Sequence, residues 1–275
     1  MANGVIPGQI RVQIVSYLRN FMANSLGKIR PVARQAQEFR PTRLQDAEGD
    51  VKPFHEALVP EGVLRTSDFE RSFSTSLGTS FEEVAKLIGS SRFRRSERGF
   101  KFQVSIPRVA LDTIDGVISD VSSDGMRGRY TDFANSVASA YRGDLISRRA
   151  LTIDLYLERD DGTEYYFEMK SPKPNKDQSV GAVRKLLTVH GAKGIAPPRL
   201  QTYYSMAYNP YGDSRSDYAE SIARKYLDLN AMVLMGQEFW DFVGGGGCYE
   251  DVLDIFQEVG QEFGPQVWDL LAGPA

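Results

Sequence analysis

The chain has 275 residues, 33 Lys and Arg against 36 Asp and Glu, and a net charge of −3. That length suits one large domain or two small ones, and no apolar run is long enough to span a bilayer. The single Cys248 excludes an intrachain disulfide and a Cys-based zinc site, and with only His55 and His190 present any metal site must be built on oxygen.

The mild acidity argues against a non-specific nucleic-acid coat protein but not against local basic patches. MANGVIPGQIR lacks the charged-then-apolar pattern of a secretory leader, so secretion is not expected and a cytoplasmic location is. In chain order, Ile10, Ile14, Tyr17, Leu18 and Phe21 recur at helical spacing and predict a helix over Gln9–Leu26, stopped by Gly27. Residues 28–62 show no clean period, and the lone His55 there reads as structural. Ser67–Ile88 reads as helical, in two pieces if Gly78 breaks it, with capping boxes at Ser67-x-x-Glu70, Thr79-x-x-Glu82 and Ser80-x-x-Glu83. Phe81, Val84, Leu87 and Ile88 form its apolar stripe. Gly78, Glu82, Ala85 and Gly89 form a face of little bulk, suited to close approach on a sheet.

Ser90–Lys101 is an arginine-dense loop in which Arg94 and Arg95 suit phosphate contact, since guanidinium forks match phosphate oxygens. A solvated loop predicts the same letters. Phe102–Ile118 reads as β-rich, interrupted at Pro107 and with a turn signal at Asp115-Gly116, Ser122–Tyr130 as a loop and Asp132–Ile146 as a helix.

Leu151–Met169 reads as a hairpin. Leu151, Ile153, Leu155 and Leu157 alternate with Thr152, Asp154, Tyr156 and Glu158; Tyr165, Phe167 and Met169 alternate with Tyr166, Glu168 and Lys170. Asp160-Asp161-Gly162 is a three-residue loop with glycine where a left-handed residue is needed. Arg159 then faces Thr163 and Asp154 faces Glu168; a two-residue loop would set Asp154 against apolar Met169, which the alternation rejects. Like charges directly opposite one another are destabilising, so the pair calls for a cation between them. Two carboxylates with Lys170 beside them suit Mg²⁺, which takes oxygen ligands and polarises a phosphoryl group, while the lysine orients or deprotonates the attacking water. That is phosphodiester hydrolysis. The plainer alternative is a surface hairpin with an exposed Glu-Lys face.

Downstream, Ser171–Lys176 cannot be regular because two prolines fall close together. Val180–Val189 reads as a short basic helix. Lys173, Lys176, Arg184, Lys185 and Lys193 bring positive charge where a scissile phosphate would need it, and Asn175 and Gln178 suit base edges. Leu200–Ala207 and Ala231–Met235 read as strands, Tyr218–Leu227 and Tyr249–Phe263 as helices. Gly244–Gly247 lacks the spacing of a P-loop and reads as a flexible turn.

Asp154, thirteen intervening residues, then Glu168-Met169-Lys170 resembles the motif of the PD-(D/E)xK nucleases, with Ile153 where the name has Pro. SPKPNKDQS resembles the segment after that motif in type II restriction endonucleases, the TdeIII-type group in particular. GTSFEEVAKL resembles the first core helix of many such nucleases, which implies Glu82 as a third acid, with Glu70 in reserve; the alternative is that these glutamates only cap helices.

The resemblance implies an α/β, restriction-endonuclease-like core, a central mixed β-sheet flanked by helices with an N-terminal helical extension. The chain would form one nuclease domain over 1–275, with the extension at 1–65 and the core, carrying inserted DNA-contacting loops, at 66–275. It implies Asp154 and Glu168 as ligands of Mg²⁺, Lys170 as the residue acting on the water, double-stranded DNA as substrate, a homodimer, a short GC-rich palindromic site, and a cognate methyltransferase as functional partner. A repair nuclease or junction resolvase shares the motif, and a non-catalytic DNA-binding protein with a structural hairpin is the alternative outside the enzyme class.

Overall fold

The computed structural model of the chain describes residues 4–27, 53–58, 67–195 and 199–272. They fall into two compact units, one of Arg92–Ala207 with Tyr218–Met235, the other of Met1–Ser91, Tyr208–Asp217 and Gly236–Ala275.

The first unit is built on a five-stranded sheet in the order β1-β2-β3-β4-β5, from β1 (Arg95–Pro107), β2 (Leu145–Glu158), β3 (Glu164–Met169), β4 (Leu200–Met206) and β5 (Val233–Met235). β1, β2 and β3 pair antiparallel; β4 joins β3 in parallel and β5 joins β4 in parallel, so the sheet is mixed. The β2–β3 turn holds the register expected of it. Gly162 has φ 79°, and the Arg159 amide donates to the Thr163 carbonyl at 2.9 Å. Tyr156 then stands opposite Tyr166 and Leu155 opposite Phe167, so the next pair in register is Asp154 and Glu168.

The hairpin is not a surface element. Leu155 and Phe167 are fully buried, and so are Tyr156 and Tyr166 on the other face. A strand that takes a parallel neighbour through a helical crossover is covered on both sides. Here the crossover is a helix over Lys176–Lys193, several residues longer at each end than its apolar core suggests. Asn175 caps it: its side chain accepts from the Gln178 amide at 2.8 Å while the Gln178 side chain accepts from the Asn175 amide at 3.0 Å. Gly191 lets the helix lie close, since a Cβ there would come within 2.7 Å of Ile106 Cδ1. His190 Nε2 meets Thr202 of β4 at 3.0 Å.

Two further helices flank this unit, and both correct the sequence expectation. β1 ends at the expected interruption, Pro107, but Arg108–Asp124 is helical where the β-rich stretch was expected to resume towards Ile118. Pro107 precedes the first turn, and Ala110, Ile114, Val117, Ile118 and Val121 are buried at helical spacing; the Asp115-Gly116 turn signal lies inside the helix. The helix expected over Asp132–Ile146 spans Tyr130–Ser139 instead, and Leu145 already begins β2. The Arg-rich stretch expected as a loop enters β1 at Arg95. Numbered in chain order, the helices are α1 (Gly8–Leu26), α2 (Pro53–Leu58), α3 (Ser67–Gly89), α4 (Arg108–Asp124), α5 (Tyr130–Ser139), α6 (Lys176–Lys193), α7 (Ser221–Tyr226), α8 (Gln237–Gly244) and α9 (Cys248–Ala272).

The second unit is helical. Phe54 of α2 lies 5.0 Å from the rings of both Phe81 and Phe256, with Trp240 at 6.1 Å. α3 is continuous: Gly78 is exposed, with no atom within 4 Å of where a Cβ would stand, so it neither breaks the helix nor serves a close approach. Glu82 and Glu83 therefore cap nothing, and Glu83 pairs with Lys86 at 2.9 Å. The Gly-rich run turns the chain from α8 into α9, which continues past Phe263 and through Pro265. The side chains of His55 and Glu70 lie outside the described residues. Among the described residues no helix is long and apolar enough to cross a membrane.

Two measurements test this account. Gly162→Ala meets no neighbour, so its cost should be the left-handed backbone alone, about 1–2 kcal/mol in thermal or urea unfolding; a neutral substitution would mean the turn is not held at positive φ. Burial lowers the His190 pKa to about 4. An unfolded chain protonates near 6.5, so the contribution of neutral His190 is complete above that pH and is lost as pH falls towards 4. His190→Gln should lose less stability than wild type across that window, by up to about 3 kcal/mol.

Candidate active site

Asp154 lies near the end of β2 and Glu168 near the end of β3, on the face that α6 covers. Lys170 follows β3 directly, and its amide donates to the Ser205 carbonyl of β4 at 3.1 Å. The ammonium is thereby directed between the acids: Lys170 Nζ lies 3.0 Å from Asp154 Oδ2 and 2.8 Å from Glu168 Oε1. Asp154 Oδ2 also accepts from the backbone amide of Met169 at 2.9 Å.

The acid pair has a second cation that the sequence placed only loosely. Lys185 of α6 donates to Glu168 Oε2, and its Nζ lies 3.7 Å from Asp154 Oδ1. In the sequence it was one of several downstream basic residues, with nothing to separate it from Arg184. The structure separates them: Arg184 turns away and pairs with Asp115 of α4. The signal that could have found Lys185 is its place within a crossover helix that must lie over the face holding both carboxylates.

Glu168 is 5% exposed. Burial, and next the charge of Asp154, raise its pKa above the ordinary carboxylate value, while Lys170 and Lys185 pull it back. For Lys170 burial acts to lower the pKa, but Asp154 and Glu168 together outweigh it and hold the group above an ordinary lysine. Lys170 therefore stands in the site as an ammonium that donates.

The irregular segment after Lys170 is tied down by two tyrosines that sequence reasoning did not single out. Tyr204 of β4 donates to the Ser171 carbonyl at 3.2 Å, and Tyr218 to the Pro172 carbonyl at 2.6 Å. Both phenols bond the segment that leaves the site, so the path of SPKP is fixed by the β4 side of the unit.

The other residues singled out from sequence divide into groups. Lys173 is half-buried, and Asn175 and Lys176 are exposed; they follow the triad closely. Asn175 and Gln178 already serve the α6 cap, an internal role for the two amides read as base contacts. Lys176 Nζ lies 5.5 Å over the Tyr226 ring. Arg94 and Arg95 are drawn to the opposite end of the hairpin. Arg94 pairs with Glu158, and Arg95 pairs with Glu97 and lies 5.2 Å over the Tyr156 ring. Glu158 stands four residues along β2 from Asp154, about 13 Å away at the strand rise. Glu82 is half-buried on α3, in the other unit.

That far end holds a second opposed carboxylate pair, Glu158 and Glu164, which the sequence reading passed over. Tyr156 donates to both, at 3.2 and 3.0 Å, and Lys193 of α6 bonds Glu164 at 3.0 Å. With arginines, a lysine and a phenol on its oxygens, this pair is engaged as a structural network.

The Asp154–Glu168 pair fits a hard divalent cation. Its donors are carboxylate oxygens, both within hydrogen-bond reach of one ammonium. Among the described residues no group of three or more His, Cys, Asp or Glu side chains is gathered for a metal. A pair is the number that suits Mg²⁺, which keeps several waters and takes phosphate oxygens besides one or two carboxylates.

Comparison with known proteins bears on what this arrangement does. Residues 6–260 match the family described as Type II restriction endonuclease, HinfI. Type II restriction enzyme HgiCII of Herpetosiphon aurantiacus is 34% identical over 256 residues, covering 91% of this chain and 93% of that protein. Type II restriction enzyme HgiBI of the same organism is 34% identical over 258 residues with the same coverage.

Proposed function

Because the chain belongs to the HinfI family of type II restriction endonucleases, which are site-specific deoxyribonucleases, we propose that Asp154, Glu168 and Lys170 are the groups that hydrolyse the phosphodiester bond. The membership sets aside the repair-nuclease, resolvase and non-catalytic readings. The observation that carries the assignment is the Lys170 ammonium bridging two opposed carboxylates, at 3.0 and 2.8 Å, on the buried face of the sheet.

Type II restriction endonucleases generally use a divalent metal ion. Here Asp154 and Glu168 would hold it, and Mg²⁺ is the ion their oxygens suit. When bound it polarises a phosphoryl oxygen and makes water a competent nucleophile near neutral pH. The chain's own contribution is positional and electrostatic. Lys170, held as an ammonium, orients the attacking water and offsets charge that develops on the phosphate. The Met169 amide fixes the Asp154 carboxylate, so one of its oxygens points constantly and the other is left for a ligand. Tyr204 and Tyr218 hold the segment beyond Lys170, where Lys173 and Lys176 would meet the phosphates flanking the cut.

Glu82 is read as the third acid, with Glu70 as its reserve; the unbroken course of α3 removes the capping role that would otherwise account for Glu82. Arg94, Arg95, Arg184 and Asn175 are read as further DNA contacts. The family match spans both units, which supports one nuclease domain over the whole chain. A homodimer would present one active site to each strand of a two-fold site. The likeness of SPKPNKDQS supports a short GC-rich palindrome. A cognate methyltransferase would protect the host DNA, and the site of action is the prokaryotic cytoplasm.

The test is cleavage of plasmid DNA. The wild type should give discrete bands with Mg²⁺ and none with EDTA. Lys170→Ala should lose at least about a hundredfold in cleavage rate while still retarding cognate DNA in a gel. Full cleavage by Lys170→Ala would remove it from the site, and bands in EDTA would remove the metal.

A further inference from the structure

The acid pair has four oxygens, and they are not equivalent. Asp154 Oδ2 accepts from the Met169 amide and from Lys170 Nζ, and Glu168 Oε1 faces the same Lys170 Nζ. These two oxygens are committed to groups that immediately follow on β3. Asp154 Oδ1 and Glu168 Oε2 are left, and both face Lys185. A cation coordinated by one oxygen from each acid, without disturbing Lys170, must use the oxygens that Lys185 touches.

Lys185 differs from Lys170 in how it is held. Lys170 sits at the strand end, with its amide bonded to Ser205 and its neighbour bonded to Asp154. Lys185 reaches across from α6 on a flexible four-carbon stem, a compact point charge that can be moved without moving the backbone. Its side chain is 20% exposed, so the ammonium is largely desolvated against Glu168.

We propose that Lys185 is a tethered counter-ion of the Asp154–Glu168 pair, which a divalent cation must displace from Asp154 Oδ1 and Glu168 Oε2 in order to bind. The proposal rests on the reading of those two acids as the metal-holding pair. It gives this enzyme a built-in threshold for metal. With both lysines in place the cluster of two carboxylates and two ammonium groups is neutral and stable by itself. Metal entry then has to overcome the attraction of Lys185 for the oxygens and the repulsion between like charges. The displaced ammonium leaves towards the exposed side, where a DNA phosphate supplies a new partner, so metal and DNA should bind with mutual assistance.

The test uses the full chain without DNA. Mn²⁺, which shares the preference for carboxylate oxygens, is titrated and the free ion is followed by its paramagnetic resonance signal. Lys185→Met keeps the length and removes the charge, and should bind Mn²⁺ about tenfold more tightly than wild type, the scale of an ordinary coupling between two sites. Lys185→Arg keeps the charge and should not show that gain. If Lys185→Met proves unstable, its melting temperature should still rise more on adding Mn²⁺ than that of wild type, since ligand stabilisation scales with affinity. The Mg²⁺ concentration giving half-maximal plasmid cleavage should fall with the same variant. Unchanged or weaker Mn²⁺ binding by Lys185→Met overturns the proposal. Asp154→Asn is the control for the premise: it should lose Mn²⁺ binding, and wild-type binding by that variant would overturn the assignment of the acids themselves.

Discussion

The structure turns on charge neutrality in a site held mostly out of water. Asp154 and Glu168 face one another on a sheet covered on that face by α6. Two carboxylates so placed would repel at short range in a medium of low dielectric. Two lysines make the arrangement tolerable, one from the strand end and one from the crossover helix. Much else follows from where those lysines must come from. β4 has to lie beside β3 so that Ser205 can hold the Lys170 amide, and α6 has to lie over the hairpin so that Lys185 can reach the far oxygens. The parallel step from β3 through α6 to β4 delivers both.

The part of this that the sequence made legible is the part governed by local rules. The period-two alternation and a glycine-ended loop of three residues were enough to set Asp154 against Glu168, and the observed pairing of Tyr156 with Tyr166 keeps that count. Lys170 is legible too, one residue past β3 on the acids' own face, whereas Lys185 joins the pair from α6. What could not be read is what tertiary packing decides. Tyr156 and Glu158 look like an outward face in the sequence; they are buried because Phe100 stacks on Tyr156, Tyr166 packs beside it, and Arg94 and Arg95 close over Glu158. Nothing local distinguishes Lys185 from Arg184, one residue away, yet one enters the acid pair and the other pairs with Asp115.

The misread elements have a common cause. Burial overrides strong local signals for a boundary. Asp115-Gly116 looks like a turn but lies within α4, because Ile114, Val117 and Val121 bury at helical spacing around it. Gly78 looks like a helix break, but α3 runs through it while Phe73, Leu77, Phe81 and Val84 anchor the helix on either side. Propensity is a weak preference compared with several buried side chains per turn. The same reasoning removes the capping explanation for Glu82 and leaves it as an acid within a helix.

The second carboxylate pair, Glu158 and Glu164, gains meaning when set beside the first. α6 serves both: Lys185 answers Asp154 and Glu168, and Lys193 answers Glu164 eight residues later. Eight residues of helix rise about 12 Å, and the four residues of β2 between Asp154 and Glu158 rise about 13 Å. Helix and hairpin thus share a common ruler. A single residue inserted between Lys185 and Lys193 would turn one lysine about 100° away from its acids, and a residue inserted between Asp154 and Glu158 would put one acid on the wrong face. Neither segment can change length alone. Among descendants of this sequence the two stretches should therefore accept gaps hardly at all, while length variation collects in the connections outside them.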